Sequence, residues 1–115
     1  MRWKVVFHPY FEPEFAAMPQ AAREGLAAAM GFIGEFGPHL GRPTADTLAG
    51  SRFANMKEIR FRAANGAWRV AFAFDPKRQA VVLCAGDKAG VAQQRFYRML
   101  ITKADQRFET WLKEN

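Results

Sequence analysis

The segment from residue 56 to residue 90 constrains the fold of this chain more than any other part of the sequence. Two of its stretches, residues 57–62 and 67–74, alternate in side-chain character as the residues of a half-buried strand do. A third, mostly apolar run leads up to Lys88. The Asn65-Gly66 dipeptide between the first two stretches favours a tight hairpin, and a second turn follows. The segment therefore predicts three consecutive antiparallel strands.

The elements on either side of this segment are predicted to be mostly helical. Residues 3–7 are aromatic and β-branched, which favours a strand, and residues 10–17 favour a short helix. A second helix is predicted over residues 19–36, followed by a Gly- and Pro-rich loop over residues 37–55, a length that is often functional. A long amphipathic helix is predicted from about residue 91 onward. Its apolar stripe consists of Phe96, Leu100, Ala104, Phe108 and Trp111.

The predicted element order is β-α-α-β-β-β-α, in one domain over residues 1–115. Because the last three strands form an antiparallel meander, the predicted class is α+β with a mainly antiparallel sheet. The middle strand of the meander carries Trp68, Val70, Phe72 and Phe74 on one side and mostly alanines on the other. We therefore expect the helices to pack against one face of the sheet and to leave the alanine face exposed.

Positive charge is concentrated in the middle of the chain. The formal net charge is +6, but residues 42–103 alone carry twelve basic and four acidic side chains, a net charge of +8. A diffuse excess of basic residues usually serves solubility, whereas a concentrated block favours a polyanionic partner. We therefore expect a nucleic acid partner rather than a merely solvated surface.

Four of these cations are predicted to share the exposed face of the sheet. Strand alternation places Arg60 and Arg62 on one side of the first central strand, Arg69 on one side of the second, and Lys88 at the edge. Arg69 is the one long side chain in a row of alanines, so its guanidinium lies in a depression where it can bind phosphate oxygens in a bidentate manner. The alternative is that an arginine such as Arg60 only pairs with a nearby carboxylate such as Glu58 on a solvated surface.

The sequence predicts no metal site and no cofactor. His8 and His39 lie in separate loops, without a cluster of ligands at metal-binding spacing. Ser51 has no nucleophile-elbow context, and no phosphate-binding glycine loop is present. Cys84 is the one cysteine, it lies in an apolar run, and no stretch has the features of a signal peptide or a membrane span. We therefore expect a cytoplasmic protein that does not enter a membrane.

Cleavage of RNA without a metal is chemistry that such a cationic face can perform. It requires a base for the 2′-hydroxyl, an acid for the 5′-oxygen, and cations that stabilise the phosphorane. A lysine among clustered cations loses its proton more readily, which makes Lys57 or Lys88 the candidate base. Tyr97 is a candidate for the acid, or for an aromatic platform on which a nucleobase stacks. Alternatively, it only packs the last helix onto the sheet. Further contacts to RNA are expected from Arg62, Lys77, Arg78 and Arg95.

Four short motifs follow one another from residue 48 onward. They are Leu48…Gly50, Glu58-Ile59-Arg60, Trp68-Arg69-Val70 and Leu83…Gly86-Asp87-Lys88. In their order and spacing they resemble the core of RelE/HigB-type toxins of bacterial toxin–antitoxin modules, in particular the phage-derived subgroup. The predicted element order is similar to that of these toxins as well, so the resemblance covers nearly the whole chain.

The resemblance implies a ribosome-dependent mRNA interferase that cleaves the message without a metal. Arg60 and Arg69 would then hold and neutralise the scissile phosphate, and Lys88 would assist. The implied partners are mRNA on the ribosome and a cognate antitoxin, which in this subgroup is usually a helix-turn-helix protein. Two alternatives stay open: a non-catalytic toxin of the same superfamily that inhibits DNA gyrase, and a degenerate phage-derived protein that only binds the antitoxin.

Overall fold

A computed structural model of the chain describes residues 2–115 and contains a five-stranded sheet. The spatial order of the strands is β1-β5-β4-β3-β2, with β1 parallel to β5 and the other neighbours antiparallel. The predicted α+β class with a mainly antiparallel sheet is therefore confirmed, and the meander β3-β4-β5 forms the centre. The strands are β1 (Lys4–Phe7), β2 (Ala45–Thr47), β3 (Met56–Ala63), β4 (Gly66–Phe74) and β5 (Gln79–Asp87).

Three helices accompany the sheet in the described residues, and all three agree closely with the predicted ones. They are α1 (Phe11–Ala16), α2 (Gln20–Phe36) and α3 (Gln93–Glu114). Pro19 precedes α2, and Gly37, with φ of 55°, ends it in a conformation that favours glycine. Within residues 2–115, no helix combines the length and the apolar character that a membrane span requires.

The helices cover both faces of the sheet, so the prediction that they pack against one face is wrong. Helices α1 and α2 form one core with the face that carries Val70 and Phe72. Helix α3 forms a second core on the opposite face, where Ala71 and Ala73 are both 0% exposed. The alanine row is therefore the surface on which α3 lies, because side chains this small let a helix approach a sheet closely.

A β-bulge adapts β5 to this two-sided packing. The register between β4 and β5 shifts between Ala71 and Phe72, which adds one residue on the β5 side. As a result Leu83 and Cys84 both lie in the core beneath α3, and Ala85 packs against the core on the other face.

The predicted loop over residues 37–55 contains two elements that the sequence did not predict. The first is a 3-10 turn at Gly37–His39, and the second is the edge strand β2, in which Asp46 lies opposite Glu58 of β3. A strand of three residues is too short for an alternating pattern to be recognised. Strand β2 brings the carboxylate of Asp46 alongside β3, near the predicted cation Arg60.

Candidate active site

Glu58 lies at the centre of a polar network between the sheet and the start of α3. It is a residue of β3 on the face that α3 covers, and it is only 4% exposed. Its Oε1 accepts a hydrogen bond of 2.7 Å from the Tyr97 hydroxyl, and its Oε2 accepts one of 3.2 Å from Arg60 Nη2. A buried carboxylate is costly unless it is paired, and these two donors supply the pairing.

Arg69 completes the network from the neighbouring strand. It lies directly opposite Arg60 in the β3–β4 register, and its Nε donates to the Tyr97 hydroxyl at 3.2 Å. The same Nε is 3.9 Å from Glu58 Oε1, while Nη1 donates to the Trp68 carbonyl at 3.0 Å. The Arg69 side chain is only 15% exposed, so it is more enclosed than the solvent-facing arginine that the sequence predicted.

The surroundings keep the Tyr97 hydroxyl protonated at neutral pH. Burial, followed by the hydrogen bond to Glu58, raises the pKa of the Tyr97 phenol above its usual value, and Arg69 only partly opposes this. The bond to Glu58 raises the pKa of Arg60 as well, so its guanidinium stays charged. The network therefore presents a phenol that still carries its proton, beside two fixed positive charges.

A cleft of about 280 Å³ opens beside this network. Glu58, Arg60 and Tyr97 form one part of its wall, and Asp46 of β2 and Gln93 at the start of α3 form another. Asp46 Oδ2 is 3.7 Å from Arg60 Nη2, so Arg60 lies between two carboxylates. The cleft is large enough for part of a nucleotide, and its walls offer arginine, carboxylate, phenol and amide groups.

Three predicted cations lie toward one end of the sheet, outside the lining of the cleft. Arg62 is exposed on the same side of β3 as Arg60, and Arg95 is exposed in the first turn of α3. The Lys88 backbone N–H donates to the Ala67 carbonyl at 2.8 Å, which continues the β4–β5 register one step beyond β5. Within residues 2–115, no side-chain hydrogen bond or ion pair occupies Arg62, Lys88 or Arg95, so all three are available to an anionic ligand.

Three other predicted residues do not join this site. Lys57 lies on the opposite face of β3 from Glu58, and its Nζ is 3.5 Å from the Leu40 carbonyl, so the sheet separates it from the cleft. Lys77 and Arg78 lie in the β4–β5 turn at the other end of the strands, where the Arg78 guanidinium packs 4.7 Å from the ring of Trp3. We therefore leave Lys57, Lys77 and Arg78 out of the proposed site.

The sequence analysis missed the acidic half of the site. It named pairing of Arg60 with Glu58 only as an alternative, and the structure contains that pair at 3.2 Å together with a contact of 3.7 Å between Arg60 and Asp46, which was not predicted. One signal was available, since Glu58 has the same strand parity as Arg60 and Arg62 and is therefore on their side of β3. Among residues 2–115, no group of three or more His, Cys, Asp or Glu side chains is close enough together to hold a metal ion.

Comparison with known proteins supports the assignment to a toxin family. Residues 13–109 match the family described as "Phage derived protein Gp49-like (DUF891)". The chain is 44% identical over 108 residues to the putative toxin HigB3 of Mycobacterium tuberculosis, covering 94% of this chain and 92% of that protein. It is 46% identical over 92 residues to the putative toxin HigB2 of the same organism, covering 79% of this chain and 45% of that protein.

The fold is similar to that of a solved toxin structure. A double arginine-to-alanine mutant of the E. coli toxin RelE in the free state superimposes with a TM-score of 0.67 at 16% sequence identity, covering 93% of this chain and 98% of that one. The architecture is thus that of a RelE/HigB-like toxin, and the predicted resemblance is confirmed. Within that class, the chain belongs to the Gp49-like family of phage-derived proteins.

Proposed function

We propose that this RelE/HigB-like toxin is an endoribonuclease that cleaves mRNA on the ribosome and needs no metal ion. The observation that carries the proposal is the buried Glu58 carboxylate, which accepts hydrogen bonds from both Tyr97 and Arg60 at a cleft. The cations Arg62, Lys88 and Arg95 lie outside the lining of this cleft, toward the same end of the sheet, and suit the continuation of a phosphate backbone. An acid, a base and stabilising cations are the groups that this reaction requires.

In the proposed reaction, the 2′-oxygen attacks the adjacent phosphorus and the bond from phosphorus to the 5′-oxygen breaks. Glu58 accepts the proton of the 2′-hydroxyl, and Tyr97 donates its phenolic proton to the departing 5′-oxygen. Arg60 and Arg69 stabilise the phosphorane between them. The products are a 2′,3′-cyclic phosphate and a free 5′-hydroxyl. The hydrogen bond of 2.7 Å between Tyr97 and Glu58 then offers a path by which the proton held on Glu58 returns to Tyr97.

The partners follow from the same assignment. The relatives are named as putative HigB toxins, and a toxin of a toxin–antitoxin module has an antitoxin partner. We propose that the antitoxin is a helix-turn-helix protein and that the substrate is a message in the decoding site of a ribosome. The free cations at the end of the sheet are the groups that we expect to contact the RNA backbone.

A non-catalytic toxin that inhibits DNA gyrase is the second candidate. The observation that favours it is the internal pairing of the network, because Glu58 already accepts hydrogen bonds from both Arg60 and Tyr97.

The test is to induce the protein in cells and to map the 5′ ends of the messages. We expect new in-frame cuts in translated messages with the wild type, and a loss of about 100-fold in those cuts with Tyr97→Phe, which removes the proposed acid. Tyr10→Phe is the matched control, because Tyr10 is the other tyrosine and lies 68% exposed away from the cleft. Intact messages together with DNA damage would establish the gyrase inhibitor instead.

A further inference from the structure

The cleft beside the polar network has a second wall, whose residues take no part in the proposed reaction. They come from β2, from the loop that follows it, and from the start of α3, and they are Asp46, Thr47, Leu48, Ala49 and Gln93. In RNA the base is attached to the same ribose that carries the attacking 2′-hydroxyl. The base of a nucleotide that reacts at this cleft therefore has to lie close to the reacting groups, and the second wall is the surface that is free to contact it.

The sheet places Asp46 directly beside the proposed base of the reaction. Asp46 lies opposite Glu58 in the antiparallel β2–β3 register, so the two side chains are on the same face of the sheet, on strands about 4.8 Å apart. Glu58 is buried, whereas 37% of the Asp46 side chain is exposed. A ribose that presents its 2′-hydroxyl to Glu58 therefore has space for its base toward β2, within reach of the Asp46 carboxylate.

The Asp46 carboxylate is held in position but retains free acceptor capacity. Its Oδ1 accepts a hydrogen bond of 2.8 Å from the Thr47 N–H. Its Oδ2 is 3.7 Å from Arg60 Nη2 and 3.8 Å from Arg42 Nε, both longer than the roughly 2.7–3.2 Å of a hydrogen bond. Within residues 2–115, no hydrogen bond is made to Oδ2, so a ligand that carries N–H donors can bind there.

Gln93 supplies a group of complementary character at the same wall. It is the first residue of α3 and is exposed, and its side-chain amide makes no hydrogen bond in the part of the chain that the structure describes. A free carboxamide offers two N–H donors and an acceptor oxygen. The wall thus presents a group that only accepts hydrogen bonds together with a group that can donate them.

This pair of groups matches the hydrogen-bonding edge of guanine better than that of any other base. Guanine carries two adjacent donors, N1–H and the N2 amine, followed by the acceptor O6. A carboxylate binds both donors in a charge-assisted, bidentate manner, and the Gln93 amide can donate to O6. Adenine and cytosine each place a ring-nitrogen acceptor beside a single amine, and uracil places its single N–H between two carbonyl oxygens. Each of these three bases would direct a lone pair at a carboxylate oxygen.

We propose that Asp46 is a specificity-determining residue which, together with Gln93, binds the guanine base of the nucleotide on the 5′ side of the cut. The inference rests on the proposed function, because it takes Glu58 as the group that receives the 2′-hydroxyl proton. Arg60 lies between the two carboxylates, and its positive charge offsets the repulsion between them. In this arrangement, one carboxylate recognises the base and its neighbour takes part in the cleavage.

The direct test measures nucleotide binding to the purified protein without ribosomes. The probes are the 3′-monophosphates of guanosine, inosine and adenosine, each of which carries a 2′-hydroxyl, a phosphate and a base. We expect guanylate to bind about tenfold more tightly than adenylate. Inosinate lacks only the N2 amine of guanine, so its affinity should lie between the two. Equal affinities for the three nucleotides, or no binding of any of them into the millimolar range, would overturn the proposal.

Two variants assign the preference to Asp46. Asp46→Asn replaces a group with two acceptors by one with a donor and an acceptor, which matches adenine instead. It should weaken guanylate binding about tenfold and should strengthen adenylate binding. Arg42→Gln is the matched control, because it removes the exposed charge beside Asp46 and should leave the base preference unchanged. A guanylate preference that survives Asp46→Asn, or that is lost equally in Arg42→Gln, would contradict the assignment.

A cleavage assay then separates this inference from the proposed function. Ribosomes carry messages that differ only in the nucleotide on the 5′ side of the cut, and the wild type should cleave after guanosine about tenfold faster than after adenosine. Asp46→Asn should abolish or reverse that ratio. Cleavage at equal rates after every base would overturn the base site and support the nuclease. A preference for guanylate in the binding assay, without cleavage of any message, would support the base site and overturn the nuclease.

Discussion

Two nearly buried carboxylates lie under α3, one near each end of the helix, and they have opposite kinds of surroundings. Glu58 near the start of α3 is 4% exposed and Asp75 near its end is 7% exposed. Each accepts a hydrogen bond from an aromatic side chain of α3, Tyr97 at 2.7 Å and Trp111 at 3.0 Å. Beyond this shared feature the two groups differ in the charge of their partners and in their access to a cleft.

Within residues 2–115, the groups that donate hydrogen bonds to Asp75 are neutral. Its Oδ1 accepts from the backbone N–H groups of Lys77 and Gln79, and its Oδ2 accepts from the Gln79 side-chain amide as well as from Trp111. These bonds shape the β4–β5 turn and attach it to α3, as a structural carboxylate does.

Glu58 instead lies among groups that can exchange protons or bind anions. Arg60 and Arg69 bring positive charge, and Tyr97 brings a phenol whose pKa is raised. The cleft gives a ligand access to the carboxylate. Strained or costly polar arrangements concentrate where function requires them. The comparison therefore predicts that Glu58 serves activity and that Asp75 serves stability.

The largest expected effect is that of Glu58→Gln. The amide keeps the size of the side chain but cannot accept the proton of the 2′-hydroxyl, so mRNA cleavage should fall about 100- to 10,000-fold and growth arrest should disappear. Growth after induction and the amount of soluble protein are the measurements. A soluble Glu58→Gln protein that arrests growth as the wild type does would remove Glu58 from the mechanism.

The second largest effect is expected for Arg69→Ala. Loss of one cation beside the phosphorane should lower cleavage about 100- to 1,000-fold. Because Arg69 also donates to Tyr97 and to the Trp68 carbonyl, the free energy of unfolding should fall by about 1–3 kcal/mol. Arg69→Lys keeps the positive charge but lacks the planar guanidinium group, so it should retain only part of the wild-type activity. Full activity in a folded Arg69→Ala protein would contradict the proposed phosphate contact.

The sequence predicted most of the fold because the decisive patterns are local. The alternation in β3 and β4 and the stripe of α3 are each visible within one element. The placement of α3 was not predictable in this way, since a row with Ala71 and Ala73 suits either an exposed depression or close contact with a helix. The candidate active site was only half predicted for a similar reason, because Glu58 and its partner Tyr97 are 39 residues apart in the sequence.

Asp75→Asn should have a smaller effect and a different one. The amide nitrogen of asparagine would face the donors of Gln79 and Trp111, so the free energy of unfolding should fall by about 1–3 kcal/mol, with cleavage per folded molecule unchanged.

Burial opposes ionisation of Asp75, but the hydrogen bonds from Trp111 and Gln79 together lower its pKa. The stabilisation from Asp75 should therefore be present above about pH 4, the unfolded pKa, and be lost as pH falls through the folded pKa. Urea denaturation at several pH values checks both expectations.

The smallest expected effect concerns the ionisation of Tyr97. In a Tyr10→Phe background Tyr97 is the one remaining tyrosine, so its phenolate absorbance can be followed alone. Because burial and Glu58 raise its pKa, the phenolate should form only above about pH 10, the usual midpoint. Because the pKa of Tyr97 is higher in the folded protein than in the unfolded chain, the stabilisation from its hydrogen bond is complete below the unfolded pKa. This stabilisation is lost as the pH rises through the pKa of the folded protein. Titration below pH 10 would contradict the enclosed hydrogen bond to Glu58.

The most direct test of the central claim compares the two carboxylates in one assay. Purified wild-type protein, Glu58→Gln and Asp75→Asn are mixed in excess with ribosomes carrying a defined message, and the single-turnover cleavage rate and the chemistry of the new ends are measured. We predict wild-type rates for Asp75→Asn, a rate lower by about 100-fold or more for Glu58→Gln, and a 2′,3′-cyclic phosphate at each cut. Wild-type cleavage by Glu58→Gln, together with loss of cleavage in a folded Asp75→Asn protein, would contradict this account.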